Sequence, residues 1–225
     1  MMLQRLKTGI PGLDEMVNGG FPIPSTALVA GEPGTGKTTF SVQSLFYGAT
    51  CGEKGLYITA ISEPQWVVQK FLSTFAFYDQ EVVEREDVVF CDVSSVARKN
   101  PSMALEKIKE LVEIHEPKRI VIDPITPFLD LIDSGQSREF MHNLFSTMKA
   151  FNAVSVVTAE MAYANIPHSL EGYMVDSVVV LSYPEEERVR RKYIEVLKMR
   201  GTRHTTGRQL LDISSSGMQI QVGLR

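Results

Sequence analysis

Residues 31–38 read Gly31-Glu32-Pro33-Gly34-Thr35-Gly36-Lys37-Thr38, and Thr39 follows. The spacing is G-x-x-x-x-G-K-[ST], and the chemistry that spacing serves is anion binding. Glycines let the backbone curl so that successive N–H groups point inward at an anion. A helix opening directly after the loop adds the positive end of its dipole. In this arrangement Lys37 reaches the β- and γ-phosphates of ATP, and the Thr38 hydroxyl is a ligand for Mg2+. The bland alternative is a glycine-rich turn with no ligand. Context argues against it: STALVAG, residues 25–31, reads as a buried strand entering the loop, and Thr38 to Tyr47 reads as a helix with Phe40, Leu45 and Phe46 available for packing.

A magnesium site needs a second protein group. Arg119-Ile-Val-Ile-Asp123 supplies one, because an acid at the end of an apolar parallel strand emerges at the sheet edge where ligands bind. A strand-terminal Asp is often a mere turn former. Beside a phosphate loop, Asp123 reads instead as the holder of a magnesium-bound water.

These groups need a scaffold, and the chain spells one out. After the first strand come strands at Gly55–Ala60, Asp87–Cys91, Arg119–Asp123, Val154–Thr158 and Val175–Leu181. Between them lie helical faces: Val67, Val68, Phe71, Leu72 and Phe75; then Leu105, Ile108, Leu111 and Val112, opened by Asn100-Pro101; then Phe140, Met141, Leu144, Phe145 and Met148. The alternation predicts an α/β fold of the P-loop NTPase type, a mainly parallel central sheet flanked by helices. From residue 183 the pattern changes. YPEEERVRRKYIEVLKMRG predicts a β-hairpin with Glu185–Glu187 at its turn, and residues 208–222 predict two short strands around Ser216-Gly217. With no long linker and no repeat, residues 1–225 read as one domain.

Composition narrows the classes further. A net charge of -4 gives no general attraction to nucleic acid or to anionic membranes. No apolar run approaches the roughly 20 residues of a membrane span. The N-terminus MMLQRLKTGI lacks the apolar stretch of a secretory signal, so a cytoplasmic protein is expected. Cys51 and Cys91 form no CxxC pair, and the four histidines are scattered, so no zinc site is readable.

The order of motifs resembles a KaiC-like ATPase domain of the RecA superfamily over nearly the whole chain. The resemblance rests on TGIPGLDEMVNGGFPIPST, GEPGTGKTTF, the RIVID strand and KMRGTRH, residues 198–204. It implies a RecA-like fold and a homo-oligomer, a hexameric ring or related assembly, with ATP between subunits. In such rings the K-x-R-G segment reaches the neighbour's phosphates, which makes Lys198 and Arg200 trans-acting fingers. Physically, an added cation stabilises the charge that spreads during γ-phosphate transfer. By spacing alone the two side chains could equally sit on a solvated cationic strand. The resemblance also makes Glu160, which closes the strand after RIVID, a relay residue that senses the γ-phosphate; a solvated strand end is the other reading.

Two departures from the family pattern matter. RecA relatives carry a water-activating acid at the place of Ile61, and clock-type domains a Glu pair at Ile61-Ser62. Here the first acid is Glu63. It is a candidate catalytic base, and also a candidate dipole-favoured acid just outside the helix that Pro64 can start. Slow hydrolysis is therefore expected. Clock-type kinases also carry a Ser-Thr pair that Gly172-Tyr173 replaces here, so autokinase activity is not expected, and Tyr173 reads as a packing residue.

The resulting expectation is an oligomeric ATPase whose nucleotide state controls a protein partner. The rival is a recombinase-like or DNA-repair mediator ATPase. DNA is the less expected partner: of the two segments that would face it, 124–138 holds Arg138 as its one cation, and 160–175 holds none. Arg188, Arg190, Arg191 and Lys192 read as part of an ordinary charged hairpin. Trp66, the single tryptophan, either packs its helix or marks an interface.

Overall fold

The computed structural model describes residues 3–60, 65–133 and 135–223. The N-terminal segment forms a small antiparallel pair, β1 (Arg5–Leu6) with β2 (Phe21–Pro22), around the short helix α1 (Leu13–Met16). The core strands are β3 (Ser25–Gly31), β4 (Gly55–Thr59), β5 (Val88–Asp92), β6 (Arg119–Ile122), β7 (Val154–Glu160) and β8 (Ser177–Ser182). A two-stranded tip, β9 (Glu185–Glu186) and β10 (Val189–Arg190), leads into β11 (Tyr193–Met199), β12 (Gln209–Ser214) and β13 (Gly217–Gln221). The nine-stranded sheet has the order β13-β12-β11-β8-β3-β7-β6-β4-β5. From β8 to β5 it is parallel; β11, β12 and β13 add an antiparallel flank.

Helices cover both faces: α2 (Lys37–Thr50), α3 (Gln65–Leu72), α4 (Gln80–Glu84), α5 (Ser94–Lys99), α6 (Pro101–His115), α7 (Thr126–Asp130), α8 (Ser137–Ala150) and α9 (Leu170–Met174). The strands' period of two divides the core. Ala27, Val29, Tyr57, Val121 and Val179 pack with α2 on one face, while Leu28, Ala30, Ile58, Ile122 and Val180 pack with α6 and α8 on the other. Strands buried on both faces read as unbroken apolar runs, which is why STALVAG and RIVI were legible.

Local signals set several boundaries. Asn100 caps α6 by accepting from Ser102 N–H at 2.9 Å, with Pro101 at the first helical position. At the far end of the sheet, Arg119 opens β6 and donates through Nε to Glu53 at 2.7 Å and through Nη1 to Ser44 at 3.0 Å. This ties the C-terminal half of α2 to the strand that carries Asp123.

Three expectations change. Phe71, assigned to the buried face of its helix, is 66% exposed, and Val68 and Leu72 alone on α3 are fully buried. The helix is only two turns long, so a five-residue apolar set outruns the face it has to bury. Tyr173 does not pack: it is 70% exposed, with the Arg138 guanidinium 5.7 Å from its ring centre. The long hairpin is β8 against β11, and the turn in its tip falls at Glu187 and Arg188, both at positive φ.

Candidate nucleotide site

The phosphate loop leaves the C-terminal end of β3, the strand held between β7 and β8. Gly31 has no room for a side chain, since a Cβ there would lie 2.2 Å from the Leu181 carbonyl oxygen on β8. Gly36, the residue before α2, sits at φ 104, in the left-handed region that favours glycine. Thr35 is buried and donates its hydroxyl to the Glu32 carbonyl at 2.8 Å, closing the loop on itself. Lys37 folds over the loop and donates to the carbonyls of Gly31 and Glu32, each at 3.0 Å. Burial pulls the Lys37 pKa below its ordinary 10.5, and the Glu160 and Asp123 carboxylates oppose that shift.

Asp123 follows β6 and is buried. Its backbone N–H donates to Ile58 at 3.0 Å, and its carboxylate accepts from the Tyr57 hydroxyl at 2.9 Å and from the Thr158 hydroxyl. Three neighbouring strands, β4, β6 and β7, therefore fix one carboxylate. Glu160 ends β7 in register with Gly31 and is exposed at the mouth. Lys37, Thr38, Thr39, Asp123 and Glu160 line one cleft of about 680 Å3 with Pro33, Gly34 and Gly36. That is within the range of clefts that hold nucleotide-sized ligands.

The donor set fits magnesium. Thr38 and Asp123 offer one hydroxyl and one carboxylate on the same cleft. Mg2+ is ordinarily held by one or two carboxylates plus substrate phosphates rather than by an all-protein cage. Among the described residues no group of three His, Cys, Asp or Glu side chains could hold a metal alone.

Two contacts were not foreseen. Lys192, read as one cation of a charged hairpin, donates to the Gly34 carbonyl at 2.6 Å, and its ammonium lies 4.9 Å from the centre of the Tyr183 ring. Burial lowers its pKa from 10.5. The tip between β8 and β11 thus delivers a cation to the phosphate loop from 158 residues away, a pairing that local sequence has no means to signal. Tyr57 is the other: one polar tip in an apolar strand was the available clue.

Lys198 and Arg200 are not brought to this cleft. β11 runs antiparallel to β8, so its end at Met199 pairs with Ser177 at the start of β8. Arg200 Nη1 lies 3.3 Å from Asp176, whose carboxylate also accepts from Thr26 N–H at 2.9 Å and pairs with Lys149 at 2.8 Å. Thr26 and Gly31 are five strand steps apart, roughly 16 Å at about 3.3 Å per residue. The two cations therefore sit at the opposite edge of the sheet from the phosphate loop of their own chain. Lys198 donates there to the carbonyls of Gly172, Tyr173 and Val175 at 3.1, 3.2 and 2.6 Å. Its pKa is lowered by burial and by Arg200 and Lys149, with Asp176 opposing. Glu63, like Ile61 and Ser62, lies outside the described residues.

A phosphate loop at the end of a central parallel strand, an acid on a neighbouring strand and an antiparallel C-terminal flank define a RecA-like P-loop ATPase fold. A family model described as the KaiC ATPase matches residues 6–224. The chain belongs to the KaiC ATPase family. It is 30% identical, over 97% of its length and 96% of the relative's, to a UPF0273 protein of Thermotoga maritima. It is also 30% identical to the circadian clock oscillator protein KaiC of Parathermosynechococcus lividus, over 97% of this chain and 42% of that protein. The chain thus spans less than half the length of the clock proteins it matches. A crystal structure of a KaiC-like protein from Pyrococcus horikoshii superposes with a TM-score of 0.85 at 29% identity, covering 98% of this chain and all of the other.

Among the described residues no helix is long and apolar enough to cross a membrane.

Proposed function

We propose that this chain is a magnesium-dependent, slowly turning ATPase that works as a head-to-tail ring and uses its nucleotide state to control a protein partner. One observation carries the reading: Arg200 and Lys198 are held at the sheet edge opposite their own phosphate loop. Another copy set head to tail would bring these two cations to the cleft mouth, beside the Lys192 that the chain supplies itself. Lys37 and the loop Gly31–Thr39 hold the phosphates, Thr38 and Asp123 hold the magnesium, and Glu160 reads the γ-phosphate. Arg200, with its side chain 62% exposed, is the freer of the two fingers.

When bound, magnesium neutralises the charge that develops between the β- and γ-phosphates. The chain's own part is positional. The loop amides orient the phosphates, Asp123 stays fixed by Tyr57 and Thr158, and the neighbour's arginine meets the transferring group. With Ile61 where relatives carry the water-activating acid, turnover is slow, and the bound-ATP state persists long enough to be read by a partner. Glu63 is the acid nearest that position in sequence. Residues 1–225 are read as one domain acting in the cytoplasm, with a protein favoured over DNA as the partner.

The test is steady-state ATP hydrolysis with magnesium, with oligomer mass measured on the same samples. Slow turnover confined to the assembled species is expected. Full activity in a monomer would refute the ring. Affinity for single-stranded DNA that falls steeply with salt would favour the recombinase reading instead.

A further inference from the structure

Two exposed features remain unused by the site. On α3, Trp66 is 64% exposed and Phe71 lines the nucleotide cleft with its ring largely in solvent. Neighbouring exposed apolar side chains can mark an interaction site, and Trp, Tyr and Arg are the residues enriched as interface anchors. At the other end of the molecule, α8 and α9 enclose a second cleft of about 580 Å3, lined by Arg138, Glu139, His142, Tyr173 and Arg200. The Arg138 guanidinium already stacks over Tyr173 there.

We propose that this second cleft is the seat of a second copy's α3, with Trp66 as the inserted side chain. The proposal rests on the head-to-tail ring, because Arg200 lines the cleft and is the cation offered to the neighbour's phosphates. Bringing Arg200 to a neighbour's cleft mouth brings the walls of its own cleft up to the helix that borders that mouth. The chemistry matches on both sides. An indole is the best aromatic acceptor for a guanidinium, and Arg138 and Tyr173 form an aromatic and cationic wall of the right kind. The nucleotide cleft sets Asp123, Asp130 and Glu160 against Lys37 and Lys192, and the second sets Arg138 and Arg200 against Glu139, so a small acidic excess faces a small basic one. The contact is heterologous, as the repeated interface of a closed ring must be.

Trp66 is the only tryptophan in the chain, so its emission reports on one position. With ATP and magnesium present, assembly should shift the emission to the blue and shield it from acrylamide. Tyr173→Ala and Arg138→Ala should each undo the shielding while leaving emission of the dissociated protomer unchanged. Trp66→Ala should weaken assembly by about 30-fold or more, the effect of losing an aromatic anchor. If the ring forms by mass while Trp66 keeps the emission and quenching of an exposed indole, the proposal fails and the ring stands. If no assembly forms under any nucleotide condition, both fail.

Discussion

The Arg200 guanidinium sits 3.3 Å from the Asp176 carboxylate, at the edge of the sheet where β8 begins, while the phosphate loop leaves the edge where the parallel strands end. Asp176 also accepts the backbone N–H of Thr26 and pairs with Lys149, so the arginine is held in a defined place on the flank. It is a cation presented outward. Arg200→Ala should leave nucleotide binding by the protomer nearly intact and lower turnover of the assembly by about 10³-fold, the scale of an arginine finger. Single-turnover hydrolysis beside equilibrium nucleotide binding checks both halves. An unchanged rate would remove the finger role.

Lys37→Ala should abolish ATP binding, and retained affinity would refute the phosphate-loop assignment. The wild-type lysine also carries a pH signature. Burial holds its pKa below 10.5 in the free protein, and a triphosphate, being anionic, raises it again on binding. Binding therefore favours the protonated form. Affinity should be flat at neutral pH and fall as pH rises through the lowered Lys37 value, sooner than an ordinary lysine would allow. Calorimetric titration across the alkaline range, with proton uptake measured in two buffers, tests the sign: release of protons on binding would contradict it.

Asp123 is buried with two hydroxyl donors, from Tyr57 and Thr158. Tyr57→Phe should cost about 1 kcal/mol of stability, a typical net hydrogen bond, and loosen the carboxylate. Asp123→Asn removes the charge that magnesium needs and should raise the magnesium concentration required for half-maximal ATP binding. Denaturant unfolding and a magnesium titration read the two effects separately. Equal magnesium dependence in wild type and Asp123→Asn would exclude Asp123 from the metal site.

On the proposed reading, placing an acid at position 61 should speed hydrolysis. Ile61→Glu is expected to raise steady-state hydrolysis by about 10²-fold, the lower end of what a positioned general base supplies. Glu63→Gln in the wild-type background separates the two roles of that residue. A loss of about 10²-fold assigns water activation to Glu63, and an unchanged rate assigns it to the helix start. If Ile61→Glu leaves hydrolysis slow, the missing acid is not what limits turnover.

Much of this was legible from residue order because the signals are local. STALVAG before GEPGTGKT marked β3 and its loop, RIVID marked β6 and Asp123, and Asn100-Pro101 marked the start of α6. What escaped the sequence was long-range. Nothing near Lys192 says that a hairpin tip will reach Gly34, and a cation run by itself reads as solvated surface. Tyr57 and Thr158 lie 66 and 35 residues from Asp123, and meet it only once the strand order is known. Phe71 was misplaced because helical periodicity finds the apolar side chains but not whether a neighbour covers them.

The central claim is that each nucleotide site is completed by a neighbouring copy, and subunit mixing tests it most directly. Lys37→Ala lacks a working phosphate loop, and Arg200→Ala lacks the finger, so each variant alone should be nearly inactive. In mixed rings, an intact loop on one subunit meets an intact finger on the next at about one interface in four. Mixing the two inactive proteins should therefore restore turnover to a sizeable fraction of wild type. Mixed assemblies of the correct mass that remain inactive would contradict completion of the site in trans.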